Sequence, residues 1–283
     1  MKPYKTVLFA DDTTIVISEH NLELLETTAN EKLGDLKNWC DANGLVLNTM
    51  KTNFSKFQTQ QRHSEDIQLQ IGKEKIGQKT VTKLLGIQFD EHLNYESHVK
   101  TLCNKLSSVC FAVRTLMTKL TPKSIRTLYH ANFETHLRYG IQIWGNSPHI
   151  QKVFIVQKRI IRIIARADPN TPCKNIFKSL NILTLPCLFI LDTLLYTHKN
   201  IEKSVKCQDV HKHNTRFKTN IHMTDHRLTK YKKSYSCISK KLFNHLPANI
   251  KSETNHRKFK KDVKLLLLNF AFYSTEEFLK YKF

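Results

Sequence analysis

The sequence predicts an α+β protein, with short strands and one helix filling residues 1–90 and helices dominating thereafter. Three observations carry this. β-branched runs crowd the first ninety residues, apolar residues recur at spacings of three and four from Tyr95 onward, and the charge balance changes at the same point. Of 283 residues, 40% are hydrophobic, enough for a sizeable core and two or three subdomains. Forty-five Lys and Arg oppose 24 Asp and Glu, a net +21. Residues 1–90 carry 11 basic and 12 acidic side chains, a net of −1, so 91–283 hold +22.

Residues 5–10 and 13–18 are β-branched runs joined by Asp11-Asp12, which predicts a hairpin with two carboxylates at its tip. Asn21 is placed to cap a helix. Leu22, Leu25, Ala29, Leu33, Leu36 and Trp39 recur along it, and Gly44 stops it. Strands are expected at 45–47, 53–57, 67–71 and 81–89, with a polar loop at 58–66. Beyond Asp90, Val99, Leu102, Leu106, Val109, Val113, Leu116 and Leu120 mark a long amphipathic helix over 95–120. Pro122 starts another, to about Tyr139. A third, over 150–167, is the most basic, with Val153, Val156, Ile160, Ile163 and Ile164 on one face and Lys158, Arg159, Arg162 and Arg166 on others. Pro169 and Pro172 end it. Helices follow at 186–198, 236–245 and 255–270, and the polar, basic stretch 200–235 reads as a connector.

A positive field spread over so much chain attracts a polyanion, and nucleic acid is the commonest one inside cells. A membrane surface fits less well, because such charge usually sits on one short amphipathic helix. No apolar run approaches the ~20 residues that span a bilayer. Seven scattered cysteines without C-x-x-C argue for a reducing compartment and against a disulfide framework. The expectation is an intracellular protein, cytoplasmic or nuclear, with no membrane partner.

Two adjacent aspartates at a hydrophobic tip repel unless a divalent metal neutralises them. Hard cations take carboxylate oxygens, and in nucleotidyl transfer two Mg²⁺ ions about 3.5–4 Å apart activate the attacking oxygen and stabilise the leaving pyrophosphate. A solvated Asp-Asp turn is the ordinary alternative, and only the surrounding motifs decide between them.

Phe9-Ala10-Asp11-Asp12 resembles the [FY]-A-D-D signature of reverse transcriptases. Trp39 to Leu45, then Leu47 to Thr52, resemble the W-x-x-x-N-G-L-x-L-N-x-x-K-T stretch of non-LTR (LINE-type, jockey-like) retrotransposon enzymes. Lys83-Leu84-Leu85-Gly86-Ile87 with Asp90, Leu93 and His98 is similar to their primer-grip region and thumb entry. Leu137 to Ile141 with Trp144-Gly145, Gln157-Lys158-Arg159 with Arg162, Asn214-Thr215-Arg216, and Phe243 to Pro247 follow in the same order. The resemblance covers essentially the whole chain. It implies RNA-directed DNA synthesis in the parent enzyme, with Mg²⁺ as cofactor and RNA template and DNA primer as partners.

Residue by residue, the resemblance implies that Asp11 ligates the metal and Asp12 neighbours it. Lys51 would approach the nucleotide phosphates, against an alternative as a solvated turn lysine. Leu85 and Gly86 would form the primer-grip turn, although L-L-G-I on its own reads as a buried strand. Residues 1–90 would be a partial polymerase palm, 91–167 a helical thumb and 168–283 a basic C-terminal extension. Lys158, Arg159, Arg162 and Arg166 would contact phosphates. Only eight residues precede Phe9, too few for the strand with the first catalytic aspartate or for fingers, so a truncated chain inactive by itself is expected. The alternatives are a non-catalytic RNA- or DNA-binding protein and a remnant that never folds stably. Cys207, His211, His213, His222 and His226 invite a zinc reading, but their spacing fits no finger pattern and scattered imidazoles explain them better.

Overall fold

The computed structural model describes residues 4–59, 66–210 and 219–283. It divides into two units, Met1–Leu93 and Asn94–Phe283. Strands occur in the first and helices dominate the second, which fits the α+β class.

In the first unit, β1 (Tyr4–Phe9) and β2 (Asp12–Ile17) pair antiparallel, with Phe9 opposite Asp12. The helix α1 (Leu22–Ala42) follows. The Asn21 side chain caps it by accepting the Leu24 N–H at 2.7 Å. Gly44, at φ +67°, ends the turn beyond it, where glycine adopts the left-handed conformation without strain. Next come β3 (Asn53–Phe54), β4 (Gln70–Ile71), β5 (Glu74–Lys75), β6 (Gly77–Gln78), β7 (Val81–Leu84) and β8 (Ile87–Asp90). They form two-stranded pairs: β3 parallel to β6, β4 antiparallel to β5, and β7 antiparallel to β8. A small core of Ala29, Ile67, Leu69, Ile71 and Ile76 joins α1 to β4. Asn30 fastens that contact, donating to Gln68 O at 3.1 Å and accepting the Gln70 N–H at 2.9 Å.

Several sequence expectations change here. Residues 45–47 are not a strand, and Trp39 is exposed rather than part of a core. The apolar run 81–89 is a tight hairpin rather than one strand. Leu85 (φ +47°) and Gly86 (φ +84°) form its two-residue loop between Leu84 and its partner Ile87. Positive φ at both loop positions matches the twist of an antiparallel hairpin. The hydrophobicity of L-L-G-I hid this turn from the pattern, whereas the resemblance placed a turn at Leu85-Gly86.

The second unit opens with α2 (Glu96–Leu116) and α3 (Pro122–Leu128). The helix expected up to about Tyr139 runs without a break to Arg138, but its hydrogen-bonding pattern changes midway. A π-helical stretch at Tyr129–Glu134 joins α3 to α4 (Thr135–Arg138), before α5 (Ile141–Trp144). The basic α6 (Ile150–Ala165) ends at Arg166, which takes φ +52°, ahead of both prolines. Then follow α7 (Cys173–Ser179) and α8 (Leu185–Lys199), the latter capped by Thr184. Within the expected connector lie a 3₁₀ turn at Ile201–Lys203, α9 (Cys207–Val210) and α10 (Thr229–Lys232). The remaining helices are α11 (Tyr235–His245), α12 (Ala248–Lys251), α13 (His256–Phe270) and α14 (Thr275–Lys280).

One continuous core runs from Val99 to Phe278 and includes the apolar residues of α8 from Leu185 to Leu194. α8 buries ten of its 15 residues because α5, α11 and α13 pack around it. All seven cysteines are free thiols. Among the described residues no helix is long and apolar enough to cross a membrane.

Candidate functional site: an acidic hairpin and a basic helix pair

The β1–β2 loop consists of Ala10 and Asp11, and Asp12 is the first residue of β2. Ala10 is held at φ +51°, a conformation that a residue with a Cβ rarely adopts. Strain of that kind places both carboxylates at the tip, where Asp11 and Asp12 are exposed. Leu8 and Phe9 beside them are exposed as well. Neither aspartate is engaged in an ion pair among the described residues, so their oxygens remain available as donors to a hard cation. Also among the described residues, no cluster of three or more His, Cys, Asp or Glu forms, either at the hairpin or around Cys207, His222 and His226. His211, His213 and the Asn214-Thr215-Arg216 stretch lie outside the described residues.

Lys51 is exposed at the end of a turn in which its backbone N–H donates to the Asn48 side chain at 3.0 Å. Leu85 is exposed at the tip of the β7–β8 hairpin. A left-handed leucine costs roughly 1–2 kcal/mol relative to its relaxed conformation. We expect Leu85→Gly to raise the unit's stability by about 0.5–1 kcal/mol, since little buried surface is lost. Denaturant titration checks this, and a lowered midpoint would contradict the turn geometry.

The four basic residues of the third expected helix do not share one environment. Lys158 is half-buried, with Nζ 5.0 Å from the Phe154 ring centroid and 5.9 Å from that of Tyr273. Arg162 Nε–H donates to Thr171 O at 2.9 Å and so secures the loop after α6. These two are partly committed to packing. Arg159 and Arg166 are exposed, although Arg166 also donates to Met117 O at 3.3 Å.

α6 lies alongside α2 in the same direction. Lys152 meets Glu96 at 3.3 Å near one end, the Cys110 thiol faces Val156 O midway, and Arg166 meets Met117 at the other. Burial pushes the Cys110 thiol up to about 11, and the Arg159 and Arg114 guanidiniums oppose that shift. The two arginines, one on each helix, thus act electrostatically on the same thiol. Phe111, next in sequence to Cys110, is 72% exposed on α2. Arg114 and Phe111 escaped the sequence reading. The available signal was Phe111 itself, an aromatic residue off the apolar face that Val99, Leu102, Leu106 and Val113 define.

Other residues of the motif series serve packing. Arg138 forms ion pairs with Asp192 of α8 and Glu134, the latter at 3.5 Å. Gln142 donates to Asp192 O at 3.1 Å, and Trp144 Nε1–H donates to Tyr139 O at 2.9 Å. Asn244 pairs with both backbone groups of Ile221, each at 2.9 Å.

Comparison with known proteins gives three matches at low identity. A probable RNA-directed DNA polymerase from transposon X-element of Drosophila melanogaster is 21% identical over 195 residues, covering 67% of this chain and 19% of the relative. One from transposon BS of the same organism is 24% identical over 190 residues, covering 65% and 21%. A retrovirus-related Pol polyprotein from a type-1 retrotransposable element, R1, of Bradysia coprophila is 24% identical over 173 residues, covering 60% and 17%. The chain thus spans about a fifth of the length of the relatives it matches. No protein-family profile matches, and no solved structure does. The resemblance to non-LTR retrotransposon reverse transcriptases read from the motifs agrees with these names, and the relation is distant.

Proposed function

We propose that this chain is the part of a retrotransposon RNA-directed DNA polymerase that presents the catalytic Asp-Asp hairpin and the helical surface gripping template and primer. The observation that carries this reading is the exposed, strained hairpin with two uncommitted carboxylates, at the head of a motif series whose relatives are such polymerases. In this proposal residues 1–90 belong to the palm, with Asp11 as a metal ligand and Asp12 beside it. Lys51 attracts nucleotide phosphates, and Leu85-Gly86 presses on the primer. Mg²⁺, when bound, would neutralise the developing charge of an in-line nucleotidyl transfer. Residues 91–167 act as a thumb whose α2–α6 face contacts phosphates, and 168–283 extend it.

Two carboxylates supply only part of the oxygen shell that Mg²⁺ requires, and among the described residues no third His, Cys, Asp or Glu joins them. We therefore expect no nucleotide incorporation by the purified chain in primer extension with Mg²⁺ or Mn²⁺. Product that disappears in Asp11→Ala would overturn this part. A non-catalytic nucleic-acid-binding role is the second reading, favoured by the same incomplete ligand set and by the +22 carried on 91–283.

The basic face has its own test. Each phosphate contact contributes about 0.9 to the slope of log affinity against log salt. Arg159→Ala with Arg166→Ala should lower that slope by about 2 and weaken template–primer binding at least tenfold. Lys158→Ala with Arg162→Ala should mainly lower the melting temperature. Wild-type slopes in the arginine pair would sink the assignment.

A further inference from the structure

Residues 224–241 hold six cations, Arg227, Lys230, Lys232, Lys233, Lys240 and Lys241, against a single carboxylate, Asp225. In the same unit other exposed lysines have acidic partners, such as Lys174 with Glu277 at 2.8 Å and Lys258 with Glu253 at 2.6 Å. Among the described residues, Arg227, Lys232, Lys233, Lys240 and Lys241 enter no ion pair. A merely solvated face normally intersperses both signs of charge, so this one concentrates positive potential.

Aromatic rings stand within that charge. The His226 and Tyr231 rings pack with centroids 3.8 Å apart at 49°, and Tyr231 is still 42% exposed. His226 is held from its other side by Thr224 Oγ1, 2.7 Å from Nε2. Leu228 is also exposed. The platform is anchored to the core. Asn146 donates to Lys233 O at 2.8 Å, and Ser234 N–H to Tyr231 O at 2.9 Å. The α11 helix that follows buries Ile238, Leu242 and Phe243.

We propose that the His226–Tyr231 platform, flanked along the chain by Arg227, Lys230 and Lys232 and bordered by Lys240, is a separate binding surface for single-stranded nucleic acid. Exposed rings take unpaired bases by stacking, which tolerates any sequence, while the cations follow the backbone. A duplex keeps its base faces covered and gains only the charge term. An anionic bilayer is a poorer fit, because α10 has four residues and too little apolar face to sit in an interface. The proposal does not depend on Asp11 or on the α2–α6 face.

The test uses the full chain and fluorescence anisotropy, with a labelled oligo-uridylate of about 12 nucleotides, the equivalent oligothymidylate, and a duplex of equal length. His226→Ala with Tyr231→Ala should weaken single-strand binding about tenfold, leaving the salt slope and duplex affinity unchanged. Tyr231→Phe should retain binding. Arg227→Ala with Lys230→Ala and Lys232→Ala should lower the single-strand slope by about 2, at about 0.7 per phosphate. Thermal melts at the wild-type temperature establish that the variants are folded. Single-strand affinity within twofold of wild type in both multiple variants would overturn the proposal, as would equal losses on single strand and duplex in the ring variant. Loss confined to binding of phosphatidylserine–phosphatidylcholine vesicles would reassign the surface to membranes. Arg159→Ala with Arg166→Ala leaves the ring effect in place if only the thumb reading fails.

Discussion

Gly145→Ala should unfold the second unit or lower its melting temperature by about 8 °C or more. A Cβ at this position would lie 2.3 Å from Ile141 O and 2.5 Å from Phe189 Cδ2. Neither neighbour can withdraw. Ile141 O belongs to α5 and already accepts the Gly145 N–H at 2.7 Å, while Phe189 is fully buried in α8. Forcing a methyl group into a close-packed core costs about 1–3 kcal/mol, and a clash with backbone belongs at the upper end or beyond. For a unit of this size each kcal/mol moves the midpoint by about 2–4 °C. The contrast is Gly34 in α1, where an added Cβ meets nothing within 4 Å. There Gly→Ala should be neutral or stabilising by up to about 1 kcal/mol through helix propensity. Circular-dichroism melts of both variants decide the matter. A Gly145→Ala midpoint within about 1 °C of wild type would mean that α5 does not pack on α8 as described.

Gln157→Leu should destabilise the unit by about 3–5 kcal/mol although it makes the core more apolar. Gln157 is fully buried, and its amide serves three groups at once. Nε2 donates to Tyr129 OH at 3.0 Å and to Leu183 O at 2.9 Å, while Oε1 accepts the Leu185 N–H at 2.7 Å. Leucine fills the volume but leaves a phenol, a carbonyl and an amide without partners away from water, at about 1–3 kcal/mol for each buried group. Tyr129→Phe removes only one member and should cost about 1 kcal/mol. Chemical denaturation of the two variants provides the comparison, and equal midpoints would show that the amide does not bridge α6, the π-helical stretch and the start of α8.

Local signals made much of the chain readable in advance. The hairpin around Asp11-Asp12, the cap at Asn21 and the helices near 96–116, 150–165, 185–199 and 256–270 follow from period, capping and breakers, all expressed within a few residues. The Leu84–Ile87 turn was not readable from hydrophobic pattern, only from the resemblance that placed a turn at Leu85-Gly86. It depends on two positive φ angles, and one of them falls on leucine, for which no residue preference announces it. The π-helical stretch at Tyr129–Glu134 was equally silent, since its side chains suit an ordinary helix.

The candidate interface divides along the same line. Which residues recur as motifs was visible in the sequence, but not what they touch. Gln157, Lys158 and Arg159 are adjacent in one motif, yet the first bridges a buried junction, the second leans on aromatic rings and the third faces solvent. A helix turns about 100° per residue, so neighbours in sequence are sent to different surroundings. The α+β order, the placement of both aspartates on a hairpin tip and the positive charge beyond residue 90 were all written along the chain. Those depend on composition and on neighbours along the chain. That Arg138 and Gly145 serve the core, and that Arg114 and Arg159 act on one buried thiol from two parallel helices, emerged only from the packing of helix on helix. Such pairings depend on which helix packs against which, and residues far apart in the chain must meet before burial, ion pairing or a steric clash exists at all.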